Sequence, residues 1–214
     1  MSEPVKRAYR APRREAAAAL TRATILGAAQ ARFEHEGWAA TTVKAVAKDA
    51  GVSPKTIEAI FGTKAALLQA TVSFALRGGD EDTRPMIERA PAQAFVRAET
   101  AREALTRHAA YARPITERSA LMAAVVESAA RSDERLRELW ATMTHNRRFG
   151  ARWAATHLLA KPGLEPQATP ELIETTVLLA IDWATYRTLT QEAGFSPEAY
   201  EAWMREYYAR MLLA

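Results

Sequence analysis

Hydroxyl, lysine and carboxylate side chains cluster between positions 42 and 64, with a spacing that suits contacts to phosphates and bases. Thr42, Lys44 and Lys64 stand where helices are expected to begin, so hydroxyl, ammonium and free N–H groups there could hold phosphates. Lys55 could donate to guanine O6 and N7 if its helix enters a major groove. The alternative for each lysine is a solvated surface charge. The other outward or edge positions of that helix are Ser53, Pro54, Thr56 and Glu58.

A helix, a short turn and a second helix are predicted to position these side chains. Thr41 or Thr42 can cap the first helix, and Gly51 supplies the positive φ that the turn needs. Ser53 and Pro54 can open the second helix as cap and first residue, and Thr63 can cap the next. Such a hairpin either reads DNA or is an ordinary helical hairpin. Its predicted inward positions are Val43, Val46, Ala47, Ala50, Ile57, Ile60 and Phe61.

About fifty residues around this hairpin resemble the TetR family of transcriptional repressors. The resemblance rests on order and spacing, through Ile25, Ala28, Ala29, Phe33, Gly37, Thr41-Thr42-Val43, Val46-Ala47, Ala50-Gly51-Val52-Ser53, Thr56-Ile57, Phe61, Thr63-Lys64 and Leu67-Leu68. It implies a DNA-reading head, a ligand-binding body and a homodimer on a palindromic operator. Glu58 stands where the family usually has tyrosine, so the resemblance does not carry over the DNA contact at that position.

The whole chain is predicted to be all-α, because alanine is abundant, glycine is scarce and no stretch alternates like a strand. Residues 1–14 form a flexible basic arm in this interpretation, which either follows the DNA backbone or only solubilises the chain. Residues 15–64 form the three-helix helix-turn-helix domain, and residues 65–214 form a helical-bundle body for ligand binding and dimerisation. A helix leading out of the DNA-binding domain is expected to end at Gly78-Gly79. The further predicted helices are Ala92–Ala112, 115–130, Glu134–Leu159, a stretch from Thr169 to Gly194 and a last stretch from Ser196.

Composition and charge exclude several classes of function. Residues 1–64 hold 11 Lys and Arg against 6 Asp and Glu, a net charge of +5, which suits a module that docks on phosphates. The chain has no cysteine, so it has no disulfide or thiolate zinc site, which suits a reducing cytoplasm. No apolar run is long enough for a membrane span. The histidines lack metal-ligand spacing and no glycine-rich phosphate loop occurs, so we expect no cofactor, no metal and no catalysis.

Large side chains on two expected helices of the body could line a ligand cavity. As a group they favour an apolar, aromatic pocket for a small-molecule effector, although each alone is more typical of a packed core. Asp182 interrupts an apolar run and would meet either a ligand group or a structural hydrogen bond. The predicted ligand-binding residues are Trp140, Met143, Phe149, Trp153, Asp182, Trp183 and Tyr186.

An apolar stripe at helical spacing runs along the last predicted helix and needs cover. The preceding helix can cover part of it, and the resemblance implies that both helices pack against their copies in a homodimer. The predicted dimer-interface residues are Tyr200, Trp203, Met204, Tyr207, Tyr208 and Met211. The sequence therefore predicts a ligand-responsive, homodimeric DNA-binding repressor. The competing interpretation, motivated by Glu58, is a helical small-molecule-binding dimer with weakened or lost DNA binding.

Overall fold

The computed structural model describes residues 11–79 and 84–214 and is built of α-helices. The described residues contain no β-strand, only an isolated bridge between Leu164 and Leu213. The predicted all-α class is thus confirmed. The chain divides into two compact units, one ending at Ala75 and one beginning at Leu76. In chain order the α-helices of the described ranges are α1 (Ala11–Ala40), α2 (Val43–Asp49), α3 (Pro54–Phe61), α4 (Lys64–Arg77), α5 (Ala90–Val96), α6 (Ala101–Ala129), α7 (Glu134–Leu158), α8 (Pro170–Ala180), α9 (Trp183–Arg187) and α10 (Pro197–Leu212).

Two short features complete the element order of the described residues. A 3-10 turn covers Met86–Glu88, and a π-helical turn, Thr188–Glu192, continues directly from α9. None of the described helices alone has the length and apolar character of a membrane span, although α3 and α4 together reach it with a bend of 75°. Of the predicted basic arm, residues 1–10 lie outside the described residues, and α1 begins at Ala11. Residues 80–83, which follow the glycine pair Gly78-Gly79, also lie outside them.

Local capping chemistry sets the start of most helices, as the sequence predicts. Thr42 caps α2 by accepting from the Ala45 N–H at 3.1 Å, and Thr63 caps α4 in the same way. The α8 and α10 starts use Thr169 and Ser196 as caps, each followed by proline in the first turn. Each hydroxyl satisfies an N–H that has no partner inside its helix.

Gly37 and Gly51 take the left-handed conformations that the sequence requires. At Gly51 φ is +66°, which makes the turn between α2 and α3. At Gly37 φ is +75° and the regular helix breaks, with a short helical continuation to Ala40. Thr41, four residues after Gly37, is buried, and its hydroxyl donates to the Gly37 carbonyl at 2.8 Å. This bond holds the chain in place just before α2 begins.

The inward face of α3 is smaller than the sequence predicts. Ile57 is buried, whereas Phe61 is only half-buried and Ile60 is 39% exposed. The prediction that Ile60 faces the core is therefore wrong. Its place in the last turn of a two-turn helix puts it beyond the buried stripe that Ile57 shares with Val46 and Ala47 of α2.

Pro114 lies between the predicted helices Ala92–Ala112 and 115–130, but α6 runs through this proline without a break. The separate helices predicted before and after this proline are wrong, and α5 is a distinct short helix. Proline inside a helix costs about 3 kcal/mol through a lost hydrogen bond and a steric clash. Buried side chains before and after it, including Ala112 and Thr116, offset that cost by packing along one continuous face.

The helix predicted after Thr169 breaks at Ile181 and Asp182, where α8 ends and α9 begins. Asp182 causes the restart, because its carboxylate accepts from the backbone N–H groups of Ala184 and Thr185, both at 3.1 Å. The Ala180 carbonyl at the end of α8 accepts from the buried Tyr200 hydroxyl instead. Both sides of the break thus have side-chain partners.

Candidate DNA-binding surface and effector site

The predicted DNA-binding residues lie on α2, on α3 and at the start of α4. Thr42, Lys44, Ser53, Pro54, Lys55 and Glu58 are exposed, and Thr56 is half-buried. Within the described part of the chain, no ion pair or side-chain hydrogen bond engages Lys44, Lys55 or Glu58. Three charged groups on this surface are therefore left to interact with a ligand.

The hydroxyl groups at the start of α3 already have partners. Ser53 accepts from the Thr56 N–H at 3.1 Å, and the two side-chain hydroxyls lie 2.9 Å apart. This pair fixes the first turn of α3, from which Lys55 projects. The fixed turn limits the positions that the Lys55 ammonium reaches, which is what base recognition in a groove requires.

Lys64 differs from the other predicted contacts because its ammonium is engaged inside the domain. Its Nζ donates to the Trp38 carbonyl at 2.5 Å and lies 4.2 Å from the centre of the Trp38 ring. Partial burial lowers the pKa of the Lys64 ammonium. A phosphate contact from Lys64 would therefore have to use the donors that Trp38 leaves free.

Two contacts from α1 hold the hairpin, and neither is predicted from the sequence. Arg32 donates to the carboxylates of Asp49 on α2 and Glu36 on α1. This guanidinium lowers the pKa of Asp49 through its hydrogen bond. Arg22 lies 4.6 Å above the Phe61 ring of α3. The opposite charges of Arg32 and Asp49 are the only sequence feature that points to this ion pair. Because 17 residues separate them, no helical spacing rule links the two positions.

A comparison with protein families decides the identity of this domain. Residues 25–71 match the model of the bacterial regulatory proteins of the tetR family. This stretch of the chain is thus similar to the DNA-binding region of the tetR family. The matched stretch runs from α1 through the hairpin into α4, so it covers the surface that presents Lys44 and Lys55. The chain is accordingly a DNA-binding regulator, as its sequence predicts.

Solved TetR-like structures match the fold over nearly the whole chain. A transcriptional regulator from Saccharomonospora viridis in complex with choline is 16% identical, with a TM-score of 0.69 over 91% of this chain and 98% of that one. NalD, the secondary repressor of the MexAB-OprM multidrug efflux pump in Pseudomonas aeruginosa, is 20% identical, with a TM-score of 0.63 over 91% and 97%. A TetR transcription regulator from Haloarcula marismortui is 16% identical, with a TM-score of 0.64 over 90% and 98%. Among curated proteins, none matches the chain.

The body of the chain does not assemble the predicted aromatic pocket. Trp140 and Trp183 do come together, with ring centres 5.5 Å apart. Trp153 lies in another cluster, 5.3 Å from the Phe95 ring, and Tyr186 packs edge-on against Tyr200 at 4.8 Å. Phe149 is 54% exposed, and Met143 is buried. The prediction that these side chains line one cavity is wrong, because Trp140 packs against Trp183 while Trp153, on the opposite side of α7, packs against Phe95.

Asp182 has a structural role in this arrangement. Besides capping α9, it pairs with Arg147 of α7. The Arg147 guanidinium lies 4.6 Å over the Trp183 ring, and the Trp183 indole N–H donates to Ser119 of α6 at 3.0 Å. The Arg147 Nε is buried with no hydrogen-bond partner among the described residues. Both carboxylate oxygens of Asp182 thus have structural partners, which accounts for this polar residue without a ligand.

The described residues of the body form at least two surface grooves, and neither of these two includes a predicted ligand-binding residue. The first, of about 260 Å³, lies between α6 and α10 and includes Arg102 and Arg205. The second, of about 520 Å³, lies between the C-terminal half of α6 and the π-helical turn after α9. We call this second one the α6–π groove; its walls include Leu121, Ala124, Glu127, Ser128, Arg131, Arg187 and Gln191. Within the described ranges, no cluster of His, Asp and Glu suits a metal ion.

A buried histidine and tyrosine form the polar centre of the body. The Tyr208 hydroxyl and His108 Nδ1 lie 3.0 Å apart, and both residues are buried. Burial lowers the pKa of His108 to about 4 and raises that of Tyr208. The Phe95 and Tyr111 rings lie edge-on to the imidazole. The sequence does not predict this pair, because His108 and Tyr208 are 100 residues apart.

The predicted dimer stripe on α10 is divided by burial. Tyr200, Met204 and Tyr208 are fully buried within the chain itself, so their prediction as interface residues is wrong. They lie in the core shared with α6 and α8, which already covers that side of α10. Trp203 and Tyr207 are half-buried and stack with ring centres 5.2 Å apart, and Met211 is 40% exposed. Only these three remain available to a partner.

Proposed function

We propose that this chain is a homodimeric transcriptional repressor that a small molecule releases from a palindromic operator. The observation that carries the DNA-binding half is the α2–α3 hairpin, whose buried side is fixed by Ile57 and whose exposed side presents Lys44 and Lys55 without internal ion pairs. Lys55 reads bases from the first turn of α3. Thr42 and Lys44 hold phosphates at the start of α2.

A binding measurement with matched charge changes tests the role of Lys55. Fluorescence anisotropy on the DNA upstream of the chain's own gene is compared for the wild type, Lys55→Ala and Arg148→Ala, an exposed residue of α7. Both variants lose one positive charge, but only Lys55→Ala is expected to lose affinity and base discrimination, by about 1–3 kcal/mol. Equal small losses in both variants would reduce Lys55 to a non-specific charge.

A homodimer follows from the outward apolar side of the body. Trp203, Tyr207 and Met211 expose one side of α10, and Leu179 on α8 is 50% exposed. Because α8 packs beside α10, these side chains suit one shared interface with a second copy. Two copies would supply the two reading heads that two operator half-sites require.

Effector binding is proposed for the helical body. The relative from Saccharomonospora viridis holds choline, and a similar helical body here has the α6–π groove. Effector binding would favour the dimer geometry in which the two DNA-binding heads do not fit successive major grooves. This requires that the effector bind that geometry more tightly than the DNA-binding geometry. Release of bound operator by the effector in a gel shift tests this half separately from DNA binding.

Glu58 favours a second candidate function, a small-molecule-binding dimer with weak DNA affinity. Its carboxylate is exposed and has no cation partner among the described residues, so phosphates would repel it. Absence of sequence-specific binding in a selection from random DNA, with an intact dimer, would favour this second function over the first.

A further inference from the structure

We propose that the α6–π groove binds an amphiphilic monocarboxylate, and that this ligand is the effector, which rests on the proposed function. Arg131 follows the end of α6, and Arg187 ends α9, so two arginines from separate elements line the groove. Within the described residues, no ion pair or hydrogen bond engages either side chain. Guanidinium groups bind carboxylates in planar, bidentate geometry, which a lysine does not match.

The remaining walls of the groove specify the rest of the ligand. Leu121, which is 38% exposed, and the half-buried Ala124 form an apolar strip on α6. Ser128 and Gln191 add a hydroxyl and an amide, which orient a polar head. The volume of about 520 Å³ falls in the range of small-molecule sites. A carboxylate on a short apolar body matches both surfaces.

Charge selects a monoanion. Two arginines and Glu127 give the groove a net charge of +1. A single carboxylate neutralises it, whereas a phosphate monoester carries nearly two negative charges at neutral pH and would also face Glu127. A quaternary ammonium would meet two like charges, so a cation is disfavoured.

The π-helical turn is the independent sign of a site. Over Thr188–Glu192 the backbone departs from the α-helical pattern, with the Ala193 N–H donating to the Thr188 carbonyl at 3.0 Å. Turns of this kind are rare in proteins, and those that occur often lie at functional sites. Here the turn places Gln191 in the wall of the groove, beside Arg187 from the end of α9.

Calorimetric titration of the full-length protein with octanoate tests the site. We expect octanoate to bind the wild type, and Arg131→Gln and Arg187→Gln each to weaken binding at least about tenfold. The matched controls are Arg102→Gln and Arg205→Gln in the other groove, which should bind octanoate like the wild type. Octan-1-ol and octyltrimethylammonium should not bind. Melting temperatures of the variants, and a crystal soaked with octanoate, separate a lost site from a damaged fold.

Three results would overturn the proposal: no binding of octanoate to the wild type, equal binding by the Arg131→Gln/Arg187→Gln double variant, or tighter binding of octyl phosphate than of octanoate. A gel shift with added octanoate tests the effector role. Retention of the operator complex at saturating octanoate would refute that role. Failure of the protein to bind any operator would instead refute the proposed function, and the calorimetric result would still decide the site.

Discussion

Burial of His108 should make the stability of the body depend on pH in a defined range. In the folded chain its pKa is lowered from 6.5 to about 4, because the protonated ring would lose its hydration. Between these two values the unfolded chain binds a proton that the folded chain does not. The stabilising contribution is therefore complete above pH 6.5 and is lost as the pH falls towards 4. The difference in pKa corresponds to about 3 kcal/mol of unfolding free energy.

Urea unfolding followed by far-UV circular dichroism at pH 7, 6, 5 and 4.5 measures this contribution. His108→Asn should start less stable, because Tyr208 loses a partner and a small void remains, but it should lose less free energy on acidification than the wild type. His145→Asn, at an exposed position of α7, is the control and should keep the wild-type dependence. Parallel losses in the wild type and His108→Asn would refute a neutral, buried His108.

Three further predictions concern the turn, the interface and Glu58. Gly51→Val should weaken operator binding and cost about 1–2 kcal/mol of stability, because φ is +66°, whereas Gly51→Asn should bind nearly normally in the same gel shift. Trp203→Glu with Tyr207→Glu should give monomers or insoluble protein, and sedimentation showing an intact dimer would move the interface elsewhere. Glu58→Gln should tighten binding to all DNA sequences alike by about 1 kcal/mol. A loss confined to operator variants with cytosine at one position would instead mean that Glu58 reads a base.

Helix starts and turns could be predicted from the sequence because their causes are local. Thr42, Ser53 and Ser196 each bond to an N–H three residues ahead, and the positive φ at Gly51 depends on its missing Cβ. The exposure of Lys55 followed from the same helical spacing. Such features involve no partner from elsewhere in the chain.

Side-chain partners distant in sequence could not be predicted in this way. Lys64 finds Trp38 across 26 residues, and His108 finds Tyr208 across 100. The apolar stripe of α10 was correctly placed on a helix, but its pattern does not distinguish a partner helix in the same chain from one in a second copy. Pro114 was overestimated as a helix breaker, since burial along the whole of α6 decides the outcome.

The break at Ile181 and Asp182 divides what would be one long helix into two shorter helices, α8 and α9. A continuous helix would carry an axial push undiminished from its last turn to its first, and every residue along it would move together. Here α8 and α9 are separate helices, and the joint between them is held by Asp182 with Arg147 and by Tyr200 on the Ala180 carbonyl. We expect a displacement at the α6–π groove to reach α8 as a rotation about this joint. The stiffness of the joint would then depend on these two side-chain bonds, each of which a single substitution removes.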